Sequence, residues 1–375
     1  MKFRFGSFIV AAAVAATLGL PAFALAAETT APAQTGDQQA AAEEQATRTI
    51  VDLAGREVTI PANVTKVAAL TGPSFETVIM LGAEDQVVIT GNKGGQSGWA
   101  TVVSPEYSEI PTVENATSPN VEELMSLGVE VVLFWDSYPD VIEALEDAGI
   151  PVVVTQLNND GIDTCEEFLE LKKREITIVG EVFGGDAVEK AAKWCDWADE
   201  TVAKITERTS QLTEDEIPSV YYVRGPEALT IHGGESYTYY LVTMAGGDLV
   251  SKDDPQLLYD TTMEQAMEWN PEYIFMGRVD NIELITEDPA WEPIQAVQDG
   301  NVYVNLKCVG PTDYSTDCFL LMEQVATILH PDLFSDIDMV EEVKAYFKDF
   351  YDTEITDEQA ERVLSFQGPE TTDAK

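Results

Sequence analysis

From Arg48 onward, short apolar runs alternate with segments of helical period, and that alternation admits few folds. Lys66–Leu70, Val87–Thr90, Val129–Phe134 and Val152–Thr155 are apolar runs bounded by turn residues, the pattern of strands buried on both faces. Ser74–Leu81 and Asn120–Leu127 read as short helices between them, with Pro73 and Asn120 at their starts and Gly82 and Gly128 after their ends. A second set follows, with strands at Ser219–Val223, Tyr273–Met276 and Val302–Leu306 and helices at Ser236–Ala245 and Thr262–Trp269. Such alternation predicts an α/β fold built on mostly parallel sheets with helices on both faces.

Between the two sets, Val188, Ala191, Cys195, Ala198, Val202, Ile205, Thr209 and Leu212 recur at steps of three and four. They trace one face of a helix of about 25 residues, roughly 37 Å long, with Asp186 and Glu189 as its expected cap. Such a helix is long enough to join two lobes as a stiff strut. An internal echo supports two similar lobes. Asn120–Phe134 can be laid over Thr262–Met276, each with a capping residue, a Glu, an apolar helix face, a turn and an apolar strand. The layout reads as signal peptide 1–26, flexible spacer 27–48, N-terminal lobe 49–160, connecting segment 161–212, C-terminal lobe 213–365 and tail 366–375.

Charge narrows the function. The 21 Lys+Arg against 67 Asp+Glu leave −46 at neutral pH, which excludes a general nucleic-acid binder because phosphate contacts need clustered cations. The 45% hydrophobic fraction is enough to bury a core, so the acidity does not imply disorder. Lys2, Arg4, the apolar run Phe8–Leu20 and the small residues around Ala24-Leu25-Ala26 have the form of an export signal. The run is shorter than a membrane span needs, and this segment has no cysteine for lipid attachment. An exported protein, periplasmic or associated with the cell envelope, is expected. Its four cysteines then suggest disulfides between sequence neighbours, Cys165–Cys195 and Cys308–Cys318.

Enzyme chemistry has little to stand on. The chain has no GxSxG, HExxH, Walker or GxGxxG motif, and only His232 and His330 as histidines. His232, beside Gly233-Gly234, reads as a satisfied loop residue more readily than as a metal ligand, and no metal site is expected. The scarce cations are more informative. Lys93, Arg224, Arg278 and Lys307 each fall at or just after the C-terminal end of a predicted strand, the edge where open α/β sheets bind ligands. Trp99, Trp135, Tyr138, Tyr237 and Tyr314 share those loops. Cations among aromatic rings suit a bulky, flat or chelated anion.

At this point the sequence resembles the substrate-binding proteins of ABC importers for ferric siderophores, haem and cobalamin. The resemblance runs from about Ile50 to Asp352 through Asp52-Leu-Ala-Gly-Arg-Glu-Val-Thr-Ile-Pro61, Asn120-Val-Glu-Glu-Leu124, Ala148-Gly-Ile-Pro-Val152, Met263-Glu-Gln265, Asn270-Pro271 and Gly300-Asn-Val-Tyr303. It implies two Rossmann-like α/β lobes joined by a single long helix with the ligand cleft between them, capture of a small-molecule metal chelate there by a monomer that needs no cofactor, and delivery to an ABC permease dimer. It also implies that Glu122 and Glu264, one per lobe, dock into basic permease pockets. Side-chain chemistry ranks a ferric siderophore first, haem close behind and cobalamin third. A sensor or scavenger of the same fold, uncoupled from a permease, is the alternative.

Overall fold

The computed structural model describes residues 46–91, 98–157, 161–279, 281–310 and 312–369. The signal peptide, most of the spacer, Lys93 and residues 370–375 lie outside the described residues. The N-terminal lobe opens with an antiparallel hairpin, β1 (Thr47–Val51) and β2 (Glu57–Pro61). Asp52 fixes its turn. The carboxylate accepts from Arg56 N and Arg56 Nε, each at 2.9 Å, and from Val154 N at 3.2 Å, so the hairpin is tied to the neighbouring sheet. That sheet comprises β3 (Val67–Ala69), then β4 (Val87–Thr90) after helix α1 (Gly72–Met80), then β5 (Val131–Trp135) and β6 (Val152–Gln156). Its order is β4-β3-β5-β6, all parallel. Helices α2 (Trp99–Val103), α3 (Val121–Leu127) and α4 (Pro139–Asp147) complete the lobe. Asn120 caps α3 by accepting from the amides of Glu122 and Glu123, and Gly128 closes it at φ 70°, a conformation that favours glycine.

The connecting segment carries two helices. The long one predicted from sequence is α6 (Asp186–Thr209), and α5 (Cys165–Phe183) lies antiparallel against it. Gly180 permits their close approach, since a Cβ there would sit 2.9 Å from Ala191 Cβ. The residue before α6 is Gly185, and Asp186 is its first helical residue rather than its cap. At its start, α5 meets the C-terminal lobe, where Tyr240 OH donates to Ile162 O at 2.5 Å. At its end it meets the hairpin, where Arg48 Nη2 donates to Val182 O at 2.6 Å.

The C-terminal lobe contains β7 (Ser219–Val223), β8 (Thr230–His232), α7 (Tyr237–Met244), β9 (Asp248–Leu249), β10 (Leu258–Asp260), α8 (Met263–Trp269), β11 (Tyr273–Met276), α9 (Glu283–Thr286), α10 (Gln295–Asp299) and β12 (Val302–Val304). Its sheet runs β10-β8-β7-β11-β12, with β9 also on β7. The β7, β11 and β12 strands are parallel, and β8 and β10 run antiparallel to their neighbours. Thr262 caps α8 as Asn120 caps α3, and Asn270 closes it at φ 42°. Helices α11 (Cys318–Leu329), α12 (Met339–Tyr351) and α13 (Asp357–Leu364) then return to the N-terminal lobe. One hydrophobic core therefore runs from Ile50 and Val67 through Trp194 to Phe347 and Val363. Residues 366–369 are not a detached tail, because Gln367 O accepts the Trp99 indole N–H at 2.9 Å.

Two expectations need correction here. None of the four cysteines is disulfide-bonded. Cys195 lies against Thr177 in the middle of the helix pair (3.7 Å), whereas Cys165 begins α5, roughly 18 Å back along the helix and out of disulfide reach. Cys308 and Cys318 are both buried as free thiols, with the Asp317 carboxylate near each and Lys172 near Cys318. Trp99 is a core residue, fully buried and packed edge-on to Phe347 at 5.7 Å, because the C-terminal helices cover it. It does not face the cleft.

Candidate functional site

Where the strands of the two sheets end, residues of both lobes line a half-open cavity of about 160 Å³. Each wall comes from a different element: Gln156 ends β6, Lys172 and Glu175 lie on α5, Arg224 follows β7, Arg278 follows β11, and Tyr314 precedes α11. The roof over the hinge side is tight. A Cβ on Gly72, at the start of α1, would come within 2.5 Å of Tyr314 OH, so glycine is what lets the two lobes meet there. Larger grooves lie on the C-terminal lobe. One of about 850 Å³ between Leu229, Met263 and Trp291 has no cation in its lining.

The two arginines differ in their surroundings. Arg278 is clamped: Nε donates to Asp313 Oδ1 at 3.0 Å, Nη2 to the same oxygen at 2.7 Å and to Tyr237 OH at 3.1 Å, while its Cζ lies 4.5 Å from the Tyr314 ring centroid. Burial opposes its charge, but Asp313 more than offsets this and raises its pKa. Arg224 has no such clamp. Its buried Nε has no hydrogen-bond partner, and among the described residues it forms no ion pair. Burying a guanidinium N–H without an acceptor is costly, so the position calls for an acceptor from outside the chain.

Deeper in the cavity, Lys172 donates to Glu175 and, at 2.6 Å, to Tyr314 O. Burial lowers the Lys172 pKa and the nearby Glu175 charge raises it, for a net rise; burial also raises Glu175, against the pull of Lys172. His232 ends β8, with Nδ1 2.8 Å from Thr238 Oγ1 and Nε2 3.4 Å from Tyr237 OH. Burial first, then Arg224 and Arg278, push its pKa down to about 2, so it is neutral and internally satisfied. Among the described residues no three His, Cys, Asp or Glu side chains are placed to hold a metal ion.

Of the nine ligand residues expected from sequence, Arg224, Tyr237, Arg278 and Tyr314 line this cavity together. Trp135 and Tyr138 form an aromatic pair 6.0 Å apart at the end of β5, with Trp135 opposite Gln156, and they stand outside the cavity. Lys307 is also outside it. Its ammonium lies 4.5 Å from the Phe366 ring, drawn there by the returning C-terminal segment. Lys93 lies outside the described residues. Sequence reasoning missed Gln156, Lys172, Glu175 and Asp313. The available signal was in α5, where Lys172 and Glu175 share the buried face of Phe168, Ile176 and Val179. Two charges within an apolar stripe mark a helix face that meets something polar. Glu122 and Glu264 are exposed in the first turns of α3 and α8.

Comparison with known proteins identifies the family. A family model described as periplasmic binding protein matches residues 67–305. The molybdate-binding protein MolA of Haemophilus influenzae is 26% identical over 344 residues, covering 84% of this chain and 94% of the relative. The solved structure of MolA bound to molybdate superimposes with a TM-score of 0.74 at 23% identity, over 82% of this chain and 99% of the other. Helicobacter pylori CeuE with Ni(II) bound gives 0.67 at 22% identity, over 84% and 99%. The family binds solutes for ABC transporters and performs no covalent chemistry on them. The chain belongs to the periplasmic binding protein family.

Proposed function

We propose that this protein captures a compact anion, with molybdate and related oxyanions as the leading class, between its two lobes and releases it to an ABC permease. The observation that carries this reading is the buried Arg224 Nε, which has no hydrogen-bond partner, in a cavity of about 160 Å³. Sites for drug-sized ligands occupy about 300–1,000 Å³, so a tetrahedral oxyanion suits a cavity of this size better than the ferric chelate, haem or cobalamin expected from sequence. The MolA relative binds molybdate, which supports the same class. Binding needs only closure of the lobes on the anion. Glu122 and Glu264 are the proposed docking points for the permease.

A calorimetric titration with molybdate, tungstate, phosphate and sulfate, beside ferric siderophores, haem and cobalamin, tests the ligand class. Saturable binding of an oxyanion at micromolar or tighter supports the reading. Binding of a chelate alone refutes it in favour of a second reading, in which the cleft opens and Trp135 and Tyr138 stack on a larger ligand. The aromatic pair on the rim is the observation that favours that alternative.

A further inference from the structure

Two carboxyl groups are buried where the lobes meet. Glu76 lies on α1 of the N-terminal lobe and Asp317 just before α11 of the C-terminal lobe, and both are fully buried. Their printed neighbours account for one oxygen of each. Glu76 Oε1 accepts from Thr316 Oγ1, with Tyr351 OH 3.4 Å away, and Asp317 Oδ1 accepts from Ser315 Oγ at 2.9 Å. Glu76 Oε2 and Asp317 Oδ2 are both buried without a hydrogen-bond partner, and the two carboxyls lie within hydrogen-bonding reach of each other. An ionised carboxylate can only accept, and two like charges so placed in a dry interior cannot both persist. One proton between the two carboxyls satisfies both orphan oxygens.

The same contact reaches the ligand side. Gly72 and Glu76 are one turn apart on α1, and both meet one stretch of the C-terminal lobe: Gly72 leaves room for Tyr314 OH, and Glu76 holds Thr316. That stretch carries Asp313, which clamps Arg278, and Tyr314, whose carbonyl accepts from Lys172 at 2.6 Å and whose ring centroid lies 4.5 Å from Arg278 Cζ. Resting on the reading of this cavity as the anion site, we infer that Glu76 and Asp317 share one proton, and that this acid–carboxylate pair positions the Asp313–Tyr314 wall against Arg278. Both are positioning residues, acting through that wall and not on the ligand.

The groups packed around the pair leave the proton to it. Lys172 on α5 gives its ammonium to Glu175 and to Tyr314 O, and Glu175, raised by burial, is held by Lys172. Tyr346 and Tyr351 on α12, Cys308 after β12, and Tyr314 and Cys318 beside Asp317 have their pKa values raised, chiefly by burial, and stay neutral. Burial first, then the Asp317 charge, holds Glu76 well above the usual carboxylate range, and burial raises Asp317.

Infrared difference spectroscopy on the ligand-free protein at neutral pH, reading the carbonyl stretch of protonated carboxyls, tests the shared proton on wild type, Glu76→Gln and Asp317→Asn. The amide of either variant can donate where the proton stood, so each alone should remove the same single band. No band lost, or two separate bands lost one by each variant, overturns the sharing; if one variant does not fold, the band in the other decides. Calorimetry with molybdate reads the positioning. Glu76→Gln should bind within about threefold of wild type, whereas Glu76→Leu, which keeps the bulk but not the bonds, should bind about tenfold more weakly. Thr316→Val takes its place if Glu76→Leu does not fold. Wild-type affinity should also fall as rising pH removes the band, and Glu76→Gln should lose that dependence. Wild-type affinity in Glu76→Leu, or a pH dependence kept in Glu76→Gln, overturns the positioning role and leaves the anion reading intact. Absence of molybdate binding in wild type overturns the anion reading instead; the infrared bands still decide the proton, and the same variants are then compared on the siderophore, haem or cobalamin that binds.

Discussion

At the scale of the residue, the site rests on the contrast between its two arginines. Arg278 is satisfied by Asp313 and Tyr237 before any ligand arrives, so on the proposed reading it serves the fold and the ligand at once. Arg224 is unsatisfied at its buried Nε, so its cost is offset only when an acceptor binds. The two should therefore separate by mutation. Arg224→Gln is expected to leave thermal stability within about 1 kcal/mol of wild type, while lowering oxyanion affinity by about 10- to 100-fold, the worth of a charge-assisted hydrogen bond. Asp313→Asn removes half of a largely buried ion pair and is expected to cost about 2–4 kcal/mol of stability as well as affinity. Thermal melts and calorimetry on the two variants check this. Equal destabilisation by both would mean that Arg224 is structural and that the cavity was not built around its free N–H.

At the scale of the element, the helix packing carries a pH dependence of its own. Glu323 on α11 is buried against Lys204 of α6. Burial raises its pKa from near 4.5 to about 7, although Lys204 opposes the shift. Between those values only the native state holds the proton. Stability therefore falls as pH rises from about 4.5 to about 7, and the Glu323 contribution is level above that. Glu76 acts in the same direction. Glu323→Gln should reduce this loss by roughly 3 kcal/mol, at about 1.4 kcal/mol per unit, read from denaturant melts at a series of pH values. An unchanged slope would assign it to other carboxyls. The packing also explains what was legible in the sequence. The β7 and β11 strands were read at their observed bounds, because Gly and Pro punctuation brackets β-branched and aromatic runs. The helix α6 was read from its apolar stripe. By contrast α11, CFLLMEQVATIL, is apolar around most of its circumference, and it offers no period to read. In the site, Arg224 and Arg278 were found because strand ends fix where the next residue lies. Lys172 and Glu175 were missed because only the docking of α5 against the C-terminal lobe turns their helix face into a cavity wall. Trp99 and Lys307 were misplaced for a related reason: the C-terminal return that covers them makes contacts distant in sequence.

At the scale of the whole molecule, one of three hydrophobic clusters joins both lobes and the C-terminal helices, so the closure proposed above is a small movement about a stiff centre. Such a movement alters the distance between α3 and α8, which belong to different lobes, more than it alters either helix. On the proposed docking, Glu122 and Glu264 in their first turns would report closure to a permease. Net charge alone cannot supply that recognition. With −46 on the chain, a basic surface would attract almost any face, and losing two acids changes the long-range field little. On the proposed docking, specificity comes from the positions of the two carboxylates. Reversing both, Glu122→Lys with Glu264→Lys, is expected to abolish permease-dependent uptake while leaving oxyanion affinity in solution unchanged. Reversing two other exposed first-turn acids, Glu166 and Glu214, makes the same change in net charge and should leave uptake near wild type. Uptake assays on reconstituted transporter with both double variants separate the alternatives. Equal loss in both pairs would show that the permease reads overall charge, and retention in the first pair would place docking elsewhere on the two lobes.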